Sequence, residues 1–185
     1  MVAGLVDATA QVLSDVGVEG LSTNKVAKAA GVSPGAIYQY FPNKEALVDA
    51  LVLDRFERLE SLIEGRMAEV SVDSVRAAVE TLVRAVADFF TAEPGLIEIL
   101  APFLAAPPAA ETEALIRWVH GLARSHLSGA SVELDVTDFD AAAFIAIGVV
   151  SHFAPRLATI DDPDRRERLT AEVVELLLRY AGAGE

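Results

Sequence analysis

The sequence lacks several features that would point to particular kinds of protein. It contains no cysteine, so disulfide bonds, thiolate chemistry and cysteine-ligated zinc are excluded. Its longest unbroken apolar run, at 141–150, is ten residues long, whereas a membrane-spanning helix requires roughly 20. The first residues, MVAGLVDATAQVL, have no basic region and are interrupted by Asp7 and Gln11, which argues against a signal peptide. We therefore expect a cytoplasmic protein with no membrane segment.

Positive charge is scarce. The 15 Lys and Arg residues face 28 Asp and Glu residues, and the formal net charge is −13. Such a surface as a whole repels phosphate. The exception is Gly20–Lys44, which holds Lys25, Lys28 and Lys44 and no acidic residue. The charge of +3 in this acid-free window leaves −16 for the other 160 residues. This contrast favours one local surface for an anionic partner.

The periodicity is helical almost throughout. Apolar residues recur every three or four positions, and 131–139 is the only candidate strand. Gly17, Gly31, Pro42 and later Gly and Pro residues mark the breaks. The sequence therefore predicts an all-α fold of about nine helices, at about 2–17, 23–30, 34–41, a long helix from Lys44, 73–92, 94–105, 110–128, 137–154 and 163–181.

Residues 23–41 fit a helix-turn-helix. Ala27 is small enough for two helices to cross closely, and Gly31 tolerates the positive φ of the turn. Ile37 would be buried against the first helix, together with Phe41. Ser22 or Thr23 would cap the first helix, Ser33 would cap the second with Pro34 in its first turn, and Asn43 would cap the long helix that follows.

The outward side of the second helix suits DNA. Eight residues give a helix about 12 Å long, which matches the width of the major groove. Gln39 could bond an adenine edge, and Pro34 or Ala36 could contact a thymine methyl. Phosphates on either side would be bonded by four further residues, Thr23, Tyr38, Tyr40 and Lys44.

The run LSTNKVAKAAGVSPGAIYQYFPNKEAL resembles the DNA-binding domain of TetR-family transcriptional regulators. The resemblance covers roughly residues 5–50 and implies a three-helix DNA-binding head at 1–48 and an α-helical ligand-binding and dimerisation domain at 49–185. It implies that Thr23 and Lys44 clamp phosphates and that Tyr38 contacts the DNA backbone. The residues it places on the DNA side are Ser33, Pro34, Gly35, Ala36, Gln39 and Tyr40.

Two features depart from the family pattern. Members commonly begin with a basic arm, whereas this sequence begins MVAGLVDA. The recognition helix also lacks the usual Arg or Lys, so no arginine is available there to read guanine. Both departures predict modest intrinsic affinity for DNA, or a contribution from residues outside this sequence.

The C-terminal part predicts a dimer. The segment 137–154 is apolar nearly all round, so it requires cover on both sides. The last helix, 163–181, carries a wide apolar stripe, with Leu169, Val173, Leu176, Leu177 and Tyr180 along it. Two such helices from each of two subunits would form a four-helix interface. A large monomeric core is the alternative.

Five aromatic residues are candidates for lining an effector pocket, although each is also explained as an ordinary core residue: Phe89, Phe90, Phe103, Trp118 and Phe144. Their number favours an apolar effector. His120 and His126 lie about 120° apart on a helix and suit no shared metal. We therefore expect no metal, no cofactor and no catalytic residue.

The predicted function is a ligand-responsive DNA-binding transcriptional regulator, a repressor that a small apolar effector releases from its operator. It would act as a homodimer and would not be an enzyme. A ligand would act by tilting the long helix that starts at Lys44, and so change the separation of the two recognition helices. The alternative is an all-α small-molecule carrier or enzyme whose helix-turn-helix no longer binds DNA.

Overall fold

The computed structural model describes residues 1–70, 74–100, 109–127 and 138–182. Within these ranges it has no β-strand, which agrees with the predicted all-α fold of about nine helices. The helices are α1 (Val2–Gly20), α2 (Thr23–Ala30), α3 (Pro34–Ile37), α4 (Lys44–Met67), α5 (Val75–Ala92), a 3₁₀ helix (Pro94–Leu96) that runs into a helical turn at 97–100, α6 (Ala109–Leu127), α7 (Phe139–Ala158) and α8 (Pro163–Tyr180). The strand candidate lies almost wholly outside the described residues.

The chain forms two compact units. The first contains Met1–Arg58 and Glu93–Ala101, and the second contains Leu59–Ala92 and Pro102–Glu185. Helix α4 therefore contributes to both units. These units are defined by packing. The predicted functional boundary between residues 48 and 49 stays a prediction.

The apolar spacing of 2–16 predicts one buried stripe, and five of its residues are buried in α1, namely Leu5, Val6, Thr9, Val12 and Leu13. Val2 and Val16, at the two ends of the stripe, are exposed. The first helical stretch of α1 ends at Gly17 as predicted. The backbone leaves the helical region at Gly17, where φ is 69°, and then makes one further turn to Gly20. Only glycine adopts this conformation without steric cost, so Gly17 interrupts the helix.

Helix α2 begins and ends as the sequence predicts. Ser22 Oγ accepts from the backbone N–H of Lys25 at 3.4 Å, and Gly31 closes the helix with φ of 68°. The N–H of Val32 then reaches the carbonyl of Ala27 at 2.9 Å. These bonds satisfy backbone groups that the helix itself leaves free, and they fix the turn that leads to α3.

Helix α3 is shorter than predicted. It spans four residues, Pro34–Ile37, in place of the predicted eight, and a turn follows at 38–40. Two local causes oppose a longer helix. Gly35 has low helix propensity, and Phe41 precedes Pro42, which disfavours the helical region for Phe41. Ser33 holds the predicted capping position, but its side chain makes no capping hydrogen bond.

In the second unit, α5 packs against α7 and α8, and α6 packs against α7. Two arginine–glutamate pairs join α5 to α8. Arg84 donates to both carboxylate oxygens of Glu167, with Nη1 2.8 Å from Oε2. Arg76 pairs with Glu175. The pairs are eight residues apart on each helix and their order is reversed, so α5 and α8 run antiparallel.

Only one face of helix α7 is buried. Ala143, Val150 and Ala154 are buried, whereas Phe144, Ile145 and Phe153 are exposed. On α8, Val173, Val174, Leu177 and Leu178 are buried, and Leu169, Leu176 and Tyr180 are exposed. The two helices therefore each leave apolar side chains exposed among the residues that the structure describes.

Helix α7 also extends beyond its predicted end at Ala154. Pro155 lies inside it and is buried, and the helix continues to Ala158. A proline removes one backbone N–H, but burial of Pro155 and Leu157 accompanies the extra turn. By length and composition alone, α7 is the one helix among the described ranges that could cross a membrane, and 28% of its 18-residue apolar window is buried in the chain.

The pair between Arg84 and Glu167 predicts a pH-dependent contribution to stability. The hydrogen bond from Arg84, and then its charge, hold the pKa of Glu167 below its usual value. A carboxyl whose pKa is depressed by folding stabilises the fold above its unfolded-state pKa, about 4.3, and loses that effect as the pH falls through the folded-state value.

We therefore expect Glu167→Gln to lower the midpoint of thermal unfolding at pH 7 by roughly 1–3 °C. The difference from the unsubstituted chain should shrink as the pH falls to about 3. Glu172→Gln, an exposed change on the same helix, is the matched control. Circular dichroism melts at both pH values measure the effect, and equal midpoints for the two variants at pH 7 would contradict it.

Candidate nucleic-acid interface

Two of the predicted phosphate-binding residues meet in the structure. Thr23 is the first residue of α2, and Tyr38 follows α3 directly. Their hydroxyl oxygens lie 3.1 Å apart, and either can be the donor. Two hydroxyls carry two hydrogens and one serves the shared bond, so the pair keeps one O–H for an outside acceptor. The Tyr38 side chain is exposed, so a phosphate oxygen could be that acceptor.

The helix-turn-helix separates inward from outward residues as predicted. Val26, Ala27, Ile37 and Phe41 are buried and form its small core. Thr23 and Ala36 are half-buried, and the other predicted DNA-binding residues are exposed, namely Ser33, Pro34, Gly35, Tyr38, Gln39, Tyr40 and Lys44. Because α3 ends at Ile37, Gln39 and Tyr40 are presented by a turn and not by a helix.

The three lysines of the acid-free window have different surroundings. The ammonium group of Lys25 donates to the carbonyl of Gly20 at 2.7 Å, at the end of α1. Lys28 and Lys44 are exposed, and within the described ranges neither is paired with a carboxylate. Lys44 begins α4, where Asn43 Oδ1 accepts from the N–H of Ala46 at 2.8 Å. The cap fixes the backbone at Lys44, so its charge is held at the edge of the helix-turn-helix.

The sequence did not predict a buried arginine in this unit. Arg55 is almost wholly buried, with an exposed fraction of 3%. Its Nε donates to Glu93 Oε2 at 3.0 Å, and it also pairs with Asp54. The alternation of acid and base in LDRFERLE reads as an ordinary solvated helix face, and no local signal distinguishes Arg55 from Arg58.

The structure describes four of the five predicted effector-binding residues. Phe89 and Phe90 are buried on α5, with their rings edge to face and centroids 5.4 Å apart. Trp118 Nε1 donates to Glu64 Oε1 at 3.0 Å. Phe144 is 57% exposed, on the uncovered face of α7. Phe103 lies outside the described residues. These assignments stay predictions.

The histidines form no metal cluster among the residues that the structure describes. His120 Nε2 lies 2.7 Å from Asp140 Oδ1, but off the line of a hydrogen bond. The His120 ring also contacts Phe139 edge to face, with centroids 4.4 Å apart. This pairing joins α6 to α7 and is explained by packing.

Comparison with known families decides the class of the protein. Residues 5–51 match the family described as "Bacterial regulatory proteins, tetR family". Residues 74–180, more than half of the chain, match "Tetracyclin repressor-like, C-terminal domain". The chain belongs to the tetR family. This confirms the predicted family.

One curated relative matches part of the chain. Nucleoid occlusion factor SlmA of Haemophilus ducreyi is 34% identical over 89 residues, which are 47% of this chain and 42% of that protein. The chain thus matches less than half the length of this curated relative.

Two solved structures share the fold. A TetR-family transcriptional regulator from Streptomyces coelicolor is 23% identical over 100% of this chain and 99% of its own, with a TM-score of 0.74. The regulator FadR from Bacillus subtilis, in complex with stearoyl-CoA, is 19% identical over 99% of this chain and 98% of its own, with a TM-score of 0.65.

The first prediction for this interface concerns Lys44. Because it would neutralise one phosphate, Lys44→Ala should weaken binding to all duplexes and lower the slope of log K against log salt by about one unit. Lys28→Ala is the matched control, since it removes the same charge from an exposed position of the same unit. Fluorescence anisotropy at several salt concentrations measures both. Equal slopes for Lys44→Ala and the unsubstituted chain would show that Lys44 contacts no phosphate.

The second concerns base recognition. Gln39→Ala should cost about 1–3 kcal/mol at one base pair of the operator and relax the preference there, because an amide can bond an adenine edge in two places. Its salt slope should stay unchanged, since no phosphate contact is lost. Competition between operator duplexes that differ at single base pairs measures the effect. A uniform loss over every position would contradict the assignment.

Proposed function

We propose that this protein is a ligand-responsive transcriptional repressor that binds duplex operator DNA as a homodimer. In this proposal a small apolar effector releases it from the operator. The observation that carries the proposal is the exposed side of the acid-free window, in a chain whose net charge is −13. In this window Tyr38, Gln39 and Lys44 are exposed, and Thr23, which is bonded to Tyr38, is half-buried.

The division of roles follows from chemistry. Hydroxyl and ammonium groups donate to phosphate oxygens and position the protein without reading sequence. Gln39 is the one exposed side chain between Ser33 and Phe41 with an amide, which can both donate to and accept from adenine. Gly35 and Ala36 have no bulk, so the backbone of α3 can come close to base edges. Together these residues support a reader of A·T pairs.

Symmetry supports a dimer. Operators of such regulators offer two half-sites when the protein has two-fold symmetry. The uncovered apolar side chains of α7 and α8 supply a self-complementary surface, because a large exposed apolar patch on a soluble protein marks an interaction site. We propose that two copies bury these faces as a four-helix interface. Burial in this interface would also explain the apolar composition of α7 without a membrane.

The effector is proposed to bind in the second unit, near the buried aromatic pair Phe89 and Phe90. FadR of Bacillus subtilis has been solved with stearoyl-CoA, and an apolar chain would suit an aromatic lining. Trp118 is the only tryptophan of the chain. Because its indole is bonded to Glu64 on α4, its fluorescence would report changes around α4.

We also propose that the protein has no enzymatic activity, since its named relatives are regulators and nucleoid occlusion factors.

The dimer predicts the effect of a charge on the uncovered face. Leu176→Glu should produce monomers, because a buried unpaired carboxylate is costly at an apolar contact. Glu172→Gln on the same helix should leave the oligomeric state unchanged. Sedimentation velocity at micromolar concentration measures both. A monomer for the unsubstituted chain would refute the dimer, whereas a dimer for Leu176→Glu would refute this interface.

Linkage predicts how an inducer must behave. If an effector releases operator DNA, the operator must weaken effector binding by the same factor, typically 5–150-fold. Stearoyl-CoA is the first probe, with Trp118 emission as the signal and the chain measured with and without the operator. The control is Trp118→Phe, which should abolish the signal. Tight binding with equal affinities would show that this probe is not an inducer.

A further inference from the structure

The first unit contains a segment from much later in the sequence. The chain leaves this unit after Arg58 and returns at Glu93, directly after α5 has ended at Ala92. Leu96, Ile99 and Leu100 are then buried, with exposed fractions of 5% or less. A Cβ added at Gly95 would lie 3.4 Å from Ser14 Cα. The segment 93–100 therefore packs directly against α1.

A chain of charges ties the start of this segment to α4 and α1. Arg55 bonds Glu93 on one side and Asp54 on the other. Asp54 Oδ2 also lies 2.8 Å from Arg58 Nε, and Arg58 Nη2 lies 2.9 Å from Asp7 Oδ1 on α1. Five charged residues thus connect Glu93 to α1 without a gap.

The two ends of this ionic chain differ in strength. The side chains of Arg58 and Asp7 are 49% and 58% exposed, so their pair contributes little. The side chain of Arg55 is 4% exposed. Loss of one partner from a buried guanidinium is more costly, because water cannot replace it. Arg55 would then keep only Asp54 as a counter-ion. Glu93 therefore carries most of the ionic attachment of its segment.

We propose that segment 93–100 is a clamp that holds α1 in place, with Arg55 as its anchor. Helix α1 packs on α2 of the helix-turn-helix, so a shift of the clamp reaches the DNA-binding residues through α1. This inference rests on the proposed function only for its effect on DNA.

The test compares Glu93→Ala with Glu98→Ala in the full chain. Both changes remove one carboxylate from the same segment, but Glu98 is exposed and outside the ionic chain. Hydrogen–deuterium exchange is followed on the amides of α1 and, for reference, of α8. In Glu93→Ala the amides of α1 should exchange about tenfold faster or more, which corresponds to about 1.4 kcal/mol of local stability. Glu98→Ala should leave them unchanged.

Operator affinity gives a second readout, in which the two variants should change in opposite directions. Removal of a negative charge by itself favours DNA binding, so Glu98→Ala should bind equally well or slightly more tightly. Glu93→Ala should bind several-fold more weakly because α1 is less firmly held, with an unchanged salt slope since no phosphate contact is lost.

The outcomes separate the clamp from the proposed function. Equal α1 exchange in the two variants overturns the clamp, whatever happens with DNA. Faster α1 exchange in Glu93→Ala alone supports the clamp even if neither variant binds DNA, a result that would refute the proposed function instead. If Glu93→Ala does not fold, Glu93→Gln replaces it. That variant keeps an acceptor for Arg55 and loses only the charge, so a smaller acceleration in α1 is expected, and none would overturn the proposal.

Discussion

Double-stranded DNA carries one negative charge for about every 1.7 Å of its axis. A chain with a net charge of −13 can therefore approach DNA only through a surface that has been cleared of carboxylates. The window Gly20–Lys44 meets this condition over its whole length. Within this window, Val26 and Ile37 are buried in the core of the helix-turn-helix, and the polar side chains lie on its outer side. Everything proposed for the function depends on this arrangement.

The same constraint shapes the kind of contact that is available. With three lysines in the window and Lys25 bonded to the end of α1, few cations remain for phosphates. In the proposed complex, hydroxyl groups therefore make more of the phosphate contacts, and the bond between Thr23 and Tyr38 joins two of them. Neutral donors position a protein but release no counter-ions, so we expect a shallow dependence of binding on salt compared with regulators rich in arginine.

Local signals in the sequence were sufficient for some elements and not for others. Helix α2 follows its prediction because Ser22 and Gly31 act within a few residues of the ends they define. The predicted length of α3 was wrong, because Ile37 and Phe41 can both be buried by a short helix followed by a turn. At Gly17 a single glycine interrupts α1 where the sequence suggested a stop, but the further turn to Gly20 was not predicted.

Contacts between distant parts of the chain could not be predicted. Nothing near Arg55 in the sequence shows that it is buried, because its partner Glu93 lies beyond α5. Likewise, Phe90 and Phe144 look alike as aromatic residues on apolar helices, yet one is fully buried and the other is mostly exposed. Composition cannot separate a core residue, a ligand contact and an interface residue. Their surroundings in the fold are required.

The central claim is that two copies of the acid-free surface bind one duplex, and selection from a random-sequence DNA pool tests it most directly. The unsubstituted chain is incubated with the pool, bound duplexes are amplified over several rounds, and the mass of the final complex is measured. We predict enrichment of an inverted repeat whose half-sites lie about 34–36 Å apart, or a multiple of that distance, occupied by an even number of chains. A pool without an enriched sequence, or an enriched site that is occupied by a single chain, would contradict the account.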